Sequence, residues 1–255
     1  MQKILSAILI CGIFAVSARS STDTQISPSL GGTFLAATRT GDLEKVKALL
    51  KDNPALVYSK EKNGMTPLHF AALDGHKNVA EILLANKAQV DAKADDGATP
   101  LHCTARHDCK NVAKLLLAGN ADANARLSNG VTPLHLAAAF GSQGVVRLLL
   151  TNNADVNARD NNGWAPLRLA VRDFHKDTVK LLLANKAEVN TRDNSGMTPL
   201  YEAVMVGDKG MVQLLLANKA DVNSRDDKSR TPLAIAVRNG HKNVAELLRQ
   251  HGGRE

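Results

Sequence analysis

The chain has 255 residues, 44% hydrophobic, 22% charged and only 3% aromatic, which excludes wholesale disorder and leaves Leu, Val, Ile and Ala to build any core. Three cysteines, Cys11, Cys103 and Cys109, are too few for a disulfide scaffold. The formal net charge of +7 would draw anionic partners only where the basic residues cluster.

From the N-terminus, Lys3 precedes the apolar run Ile4–Val16, which ends in Val16-Ser17-Ala18. A positive start, a short apolar stretch and small residues at a cleavage position mark a secretory signal peptide over residues 1–18. The run is shorter than the ~20 residues of a membrane-spanning helix. The expectation is export, to the periplasm or as a secreted protein, with no membrane insertion after cleavage. Retention of the segment as an anchor is the alternative. Ile10 before Cys11 argues against lipid attachment. Residues 19–30, rich in Ser and Thr and containing Pro28, read as a flexible linker.

The remainder is periodic. Thr66-Pro-Leu-His69 returns as Thr99-Pro-Leu-His102 and Thr132-Pro-Leu-His135, then in altered form as Ala165-Pro-Leu-Arg168, Thr198-Pro-Leu-Tyr201 and Thr231-Pro-Leu-Ala234, each 33 residues after the last. Thr suits a helix N-cap and Pro the first helical position. Leu68 and Ala71-Ala72, with their equivalents, form the inner stripe of a two-turn helix that Gly75, Gly141, Gly207 or Gly240 ends. A second helix carries triplets such as Leu148-Leu149-Leu150, and an Asp/Asn/Gly turn such as Asp160–Gly163 closes the unit. Isolated helices need roughly 12–15 residues to persist, so each unit must bury its apolar side on a neighbour.

On these motifs the sequence resembles the ankyrin-repeat family, whose mark is a 33-residue unit with T-P-L-H-x-A. The resemblance implies an all-α repeat solenoid, an ankyrin stack of helix-turn-helix units joined by β-turn hairpin loops. It divides the chain after the linker into a capping unit, 31–60, and six repeats, 61–93, 94–126, 127–159, 160–192, 193–225 and 226–255. It implies a non-catalytic protein–protein interaction module without a cofactor, monomeric, presenting a concave face to a protein or peptide. A secreted effector that binds host proteins is the alternative of the same kind.

Some repeats deviate. Repeat four lacks both the Thr (Ala165) and the His (Arg168), Asp108 and Phe174 stand where Gly ends the first helix, and Ser229 replaces the turn Gly. Repeat four is therefore expected to be the softest unit. Cys103, His107 and Cys109 form the one local cluster of metal-binding types, but their spacing is not a zinc pattern. A metal-binding or redox protein built on them is the reading of a different class. No phosphate loop, nucleophile elbow or carboxylate pair points to an enzyme. Basic residues such as Lys77, Lys114 and Lys180 fall on second helices among acids, so nucleic acid is not expected as a partner.

Ankyrin stacks bind through turn tips and the exposed side of the first helix. Carried onto this chain, the candidate positions begin with Met65, Leu73, Asp74, Asp96, Arg106 and His107. They continue centrally with Val131, Phe140, Trp164, Arg172 and Asp173, and end with Met197, Met205, Val206, Arg230 and Arg238. An apolar centre inside a charged rim is how protein interfaces concentrate their energy.

Overall fold

The computed structural model describes residues 29–255. The expected signal peptide lies outside the described residues, as does the linker up to residue 28. Helix is already present at Leu30, where linker was expected, because Ser29 Oγ accepts from the Gly32 N–H at 3.1 Å and caps it.

Fourteen α-helices follow in pairs, and no strand occurs among the described residues. Helices α1 (Leu30–Thr40) and α2 (Leu43–Asp52) form the first pair, and a 3-10 turn, Pro54–Tyr58, absorbs the residue that breaks the period. The repeats then contribute α3 (Pro67–Leu73) with α4 (Lys77–Ala85), α5 (Pro100–Cys103) with α6 (Lys110–Ala118), and α7 (Pro133–Phe140) with α8 (Gln143–Thr151). Next come α9 (Pro166–Arg172) with α10 (Lys176–Ala184), α11 (Pro199–Val206) with α12 (Lys209–Ala217), and α13 (Pro232–Arg238) with α14 (Lys242–Gln250). First helices stack on first helices and second on second, which makes an all-helical solenoid. Among the described residues, no helix is long and apolar enough to cross a membrane.

The core is the in-phase stripe read from the sequence. Leu68, Leu101, Leu134, Leu167, Leu200 and Leu233 are at most 3% exposed, and Ala71, Ala72, Ala137 and Ala138 are fully buried. Each buried Leu contributes roughly 1.5–3 kcal/mol, and the alanines let neighbouring helices approach. The hairpin tips are joined by one backbone bond per junction, such as Asn161 N–H to Asn129 O at 2.9 Å and Asn194 N–H to Asn162 O at 3.0 Å.

Two local features depart from the simple repeat. Helix α5 has only four residues, not two turns. Thr104 turns its hydroxyl back onto Leu101 O at 2.7 Å, and the chain tightens through Ala105 N–H to His102 O before Asp108 takes a φ of 51°. Asp108 then caps the next unit's second helix, accepting from Gly144 N–H at 3.1 Å and Val145 N–H at 2.8 Å.

The second feature is a contact between repeats whose partner changes with the residue that ends the first helix, Gly75 facing Cys109 being the exception. A Cβ on Gly141 would lie 2.5 Å from the His175 ring, whose Nε2–H donates to Ala139 O at 3.0 Å. Gly41 with His76 and Gly207 with His241 repeat the arrangement. Where the glycine becomes Asp108, the following unit brings the smaller Ser142, which donates to Ala105 O. Where it becomes Phe174, the following unit brings Asp208, whose carboxylate cannot donate; it caps α12 at Met211 N–H and pairs with Lys176 at 3.2 Å.

Candidate protein-binding face

The motif histidines are the bolts of the stack. Nδ1 of His69 accepts from the Thr66 N–H at 3.1 Å and lies 2.8 Å from its hydroxyl, which places the ring proton on Nε2. That Nε2–H donates to Ala98 O in the next repeat at 2.9 Å. His102 reaches Val131 O at 3.3 Å and His135 reaches Trp164 O at 2.9 Å in the same way. All three rings are fully buried with both nitrogens engaged. Burial pushes the pKa of His69 down to about 4 and of His102 down to about 3, and lowers that of His135.

Repeats four and five use other chemistry. The Arg168 guanidinium is buried, pairs with Asp193, and meets Glu202 Oε2 at 3.1 Å. It also lies 4.5 Å from the centroid of the Trp164 ring, a favourable cation–π geometry. Asp193 is held in turn by the Ser195 and Met197 N–H groups at 2.8 and 2.9 Å. Where the histidine of repeat four is missing, a charged cluster crosses to repeat five, and hydrogen exchange is the measurement that tests the expectation that repeat four is the softest unit.

Tyr201 replaces the histidine of repeat five. Its hydroxyl donates to Ser224 O and accepts from the Asp226 N–H, both at 3.0 Å. A phenol offers nothing back to the cap, and the buried Thr198 hydroxyl has no hydrogen-bond partner among the described residues. Thr198→Val is therefore expected to change stability by less than about 0.5 kcal/mol, whereas Thr132→Val should cost about 1–3 kcal/mol. Urea denaturation of the two variants side by side checks this.

The candidate binding positions divide by burial. Met65 and Val131 are 3% and 0% exposed and present no side chain to a partner. Their position, just before Thr-Pro, points into the stack. At the same position Trp164 and Met197 are half-buried, since an indole is too large to be enclosed there. Met205 and Val206, at the end of α11, are each 43% exposed. Leu73, Arg106 and Phe140 are half-buried, while Asp74, His107 and Arg238 are exposed. Several charges are already committed. Arg172 pairs with Asp173 at 2.8 Å, Arg230 with Asp226 at 2.6 Å, and Asp96 accepts from the Ala98 N–H at 2.9 Å.

Cys103 and Cys109 are free thiols that do not converge with His107. Cys103 is fully buried in the core, and Cys109 Sγ lies 3.6 Å from Leu73 O of the preceding repeat. Burial raises the pKa of Cys103 and pushes that of Cys109 up to about 11, the opposite of what a reactive thiolate needs.

Sequence reading missed the Arg168 role. The usable signal was the simultaneous change of the motif residue to Arg and of its neighbour 34 positions on to Glu202.

Comparison with known proteins agrees with this architecture. A family model described as "Ankyrin repeats (3 copies)" matches residues 33–126, 114–193 and 169–254. A stretch of 55 residues is 42% identical to a probable E3 ubiquitin-protein ligase, XBOS32, of Oryza sativa subsp. japonica. That match covers 21% of this chain and spans 11% of the rice protein's length.

Proposed function

Because the chain belongs to the ankyrin-repeat family, whose stacks mediate protein–protein interaction, we propose that it is an exported, monomeric and non-catalytic module that binds a protein or peptide on its concave face. The observation that carries this reading is the apolar group left on the first helices and hairpins of repeats three to five. Phe140, Trp164 and Met197 are half-buried there, and Met205 and Val206 are exposed. Large exposed apolar side chains gathered on one face favour partner contact. The motif histidines, with every ring nitrogen engaged within the stack, serve architecture rather than catalysis. Lys3 and the run Ile4–Val16 support export, and the rice ligase likeness, confined to 55 residues, carries no argument for ubiquitin chemistry.

Capture from the native exported fraction tests the reading. The full chain is expected to retain a partner that Met205→Glu/Val206→Glu binds at least tenfold more weakly, a loss of about 1.4 kcal/mol or more. Both side chains are exposed, so that variant keeps the fold. Phe140→Ala/Trp164→Ala, checked for folding, should lose the same partner. Equal retention by all forms would place binding elsewhere on the stack.

A further inference from the structure

Beside the apolar face, the hairpins carry a second feature of the same period. Lys60, Lys93, Arg126, Arg159, Arg192 and Arg225 stand 33 residues apart, one per junction, and all six are exposed. The solenoid aligns them into a row along the tips. The arginines are held in place: Arg126 Nη2 donates to Arg159 O at 2.6 Å, Arg159 Nη2 donates to Arg192 O, and Arg225 Nη1 donates to Ser229 O at 2.9 Å. Arg126 and Arg159 each commit one nitrogen to the backbone of the next repeat, and Arg225 commits one within its own hairpin.

The charge of the row is mostly uncompensated. Among the described residues, its one ion pair is Arg192 with Asp227, at a loose 3.8 Å. Next to Arg126 and Arg159 the tips display Ser128, Asn161 and Asn162, while Asp160 is buried and bound to the Asn162 and Trp164 N–H groups. The acids Asp122 and Asp155, on the preceding turns, fold back onto the Asn124 and Asn157 N–H groups at 2.8 and 2.9 Å. Asp95 and Asp96 lie on one tip at the N-terminal side.

We propose that this row is the recognition element for an extended acidic peptide with a carboxylate at every third position. This deepens the protein-binding reading and rests on it. Neighbouring helices pack at about 8–10 Å, which sets the step along the row. A peptide in the extended, three-residue-per-turn polyproline II form rises about 3.1 Å per residue and returns every third side chain to one face, so three residues match one repeat. Pre-ordered arginines lower the entropy cost of engaging such a strand, and the guanidinium fork suits carboxylates. Nucleic acid fits less well. Duplex DNA carries a charge per ~1.7 Å of axis, far denser than the row, and single strands need stacking platforms, whereas the Trp164 ring is covered by Arg168 and Arg172.

The test uses the full chain and three probes: a labelled 18-residue Gly/Ser peptide with Glu at every third position, a peptide of equal composition with its six Glu contiguous, and an oligodeoxythymidylate. The spaced peptide is expected to bind at least tenfold more tightly than the other two, and progressively more weakly as salt rises. Lys60→Gln/Lys93→Gln, which removes no hydrogen bond of the stack, should weaken it severalfold, and Arg126→Gln/Arg159→Gln at least tenfold. Met205→Glu/Val206→Glu should bind the spaced peptide within twofold of wild type, so failure of the apolar face and failure of the row are read separately. Equal binding of the two peptides, tighter binding of the oligonucleotide, or indifference to the Gln variants overturns the proposal.

Discussion

Arg168→Ala should destabilise the protein by about 3–5 kcal/mol, the cost of leaving a buried carboxylate without its counter-charge. Arg168, Asp193 and Glu202 have side-chain exposures of 7%, 4% and 13%, so water cannot replace the guanidinium. Asp193 is further pinned by two backbone N–H groups and cannot swing out to solvent. Arg168→Lys should recover only part of the loss, because an ammonium cannot bridge two carboxylates in a fork. At the same seam Asp208 pairs with Lys176 and does not make the cross-repeat backbone bond that His175 and His241 make elsewhere. Hydrogen exchange should then show residues 165–173 opening ahead of 132–140 in the variant but not in the wild type. An unfolding free energy in urea within about 1 kcal/mol of wild type would count against the buried cluster as a determinant of stability.

Acid should take the stack apart from its N-terminal half. Folding lowers the proton affinity of His69, His102 and His135, so below pH 6.5 the unfolded chain takes up protons that the folded chain refuses. The stability present above that pH is lost as pH falls toward about 4 for His69 and about 3 for His102. At pH 4.5 this amounts to roughly 2–3 kcal/mol for each of these two rings, a large share of the ~5–15 kcal/mol that holds a typical domain. Protonating Nδ1 would also set a donor against the Thr N–H it now accepts from. Repeats four, five and six carry Arg168, Tyr201 and Ala234 instead, and a linear stack can lose units separately. Urea midpoints between pH 7.5 and 4.5 should fall steadily, with exchange protection lost first over residues 66–152 and retained over 199–250. Asp208 and Asp226, whose pKa values are lowered in the fold, lose their contribution only below about pH 3.8 and leave that window to the histidines. A midpoint unchanged from pH 7.5 to 4.5 would refute the assignment.

How much of this was legible in the sequence follows from the range over which each feature is determined. The period of 33, the Thr-Pro helix starts, the glycine helix ends and the Leu and Ala stripes were readable because caps, φ and amphipathic faces are local properties. The same reading placed Met205 and Val206 outside, where the structure has them, but also placed Met65 and Val131 outside, where they are buried. It missed the inward turn of that hairpin position because only the following repeat closes over it. It anticipated two turns for every first helix and could not see Thr104 and Asp108 shortening α5.

The sequence by itself therefore determined the repeat period and the order of helix starts and ends within it. Only the tertiary structure decided what passes between units. Arg168 meets Asp193 and Glu202 from 25 and 34 residues away, His175 reaches Ala139 across 36, and Arg126 reaches Arg159 across 33. Separations of that size become contacts only when one unit is stacked on the next, and the chemistry of each junction depends on both residues at once.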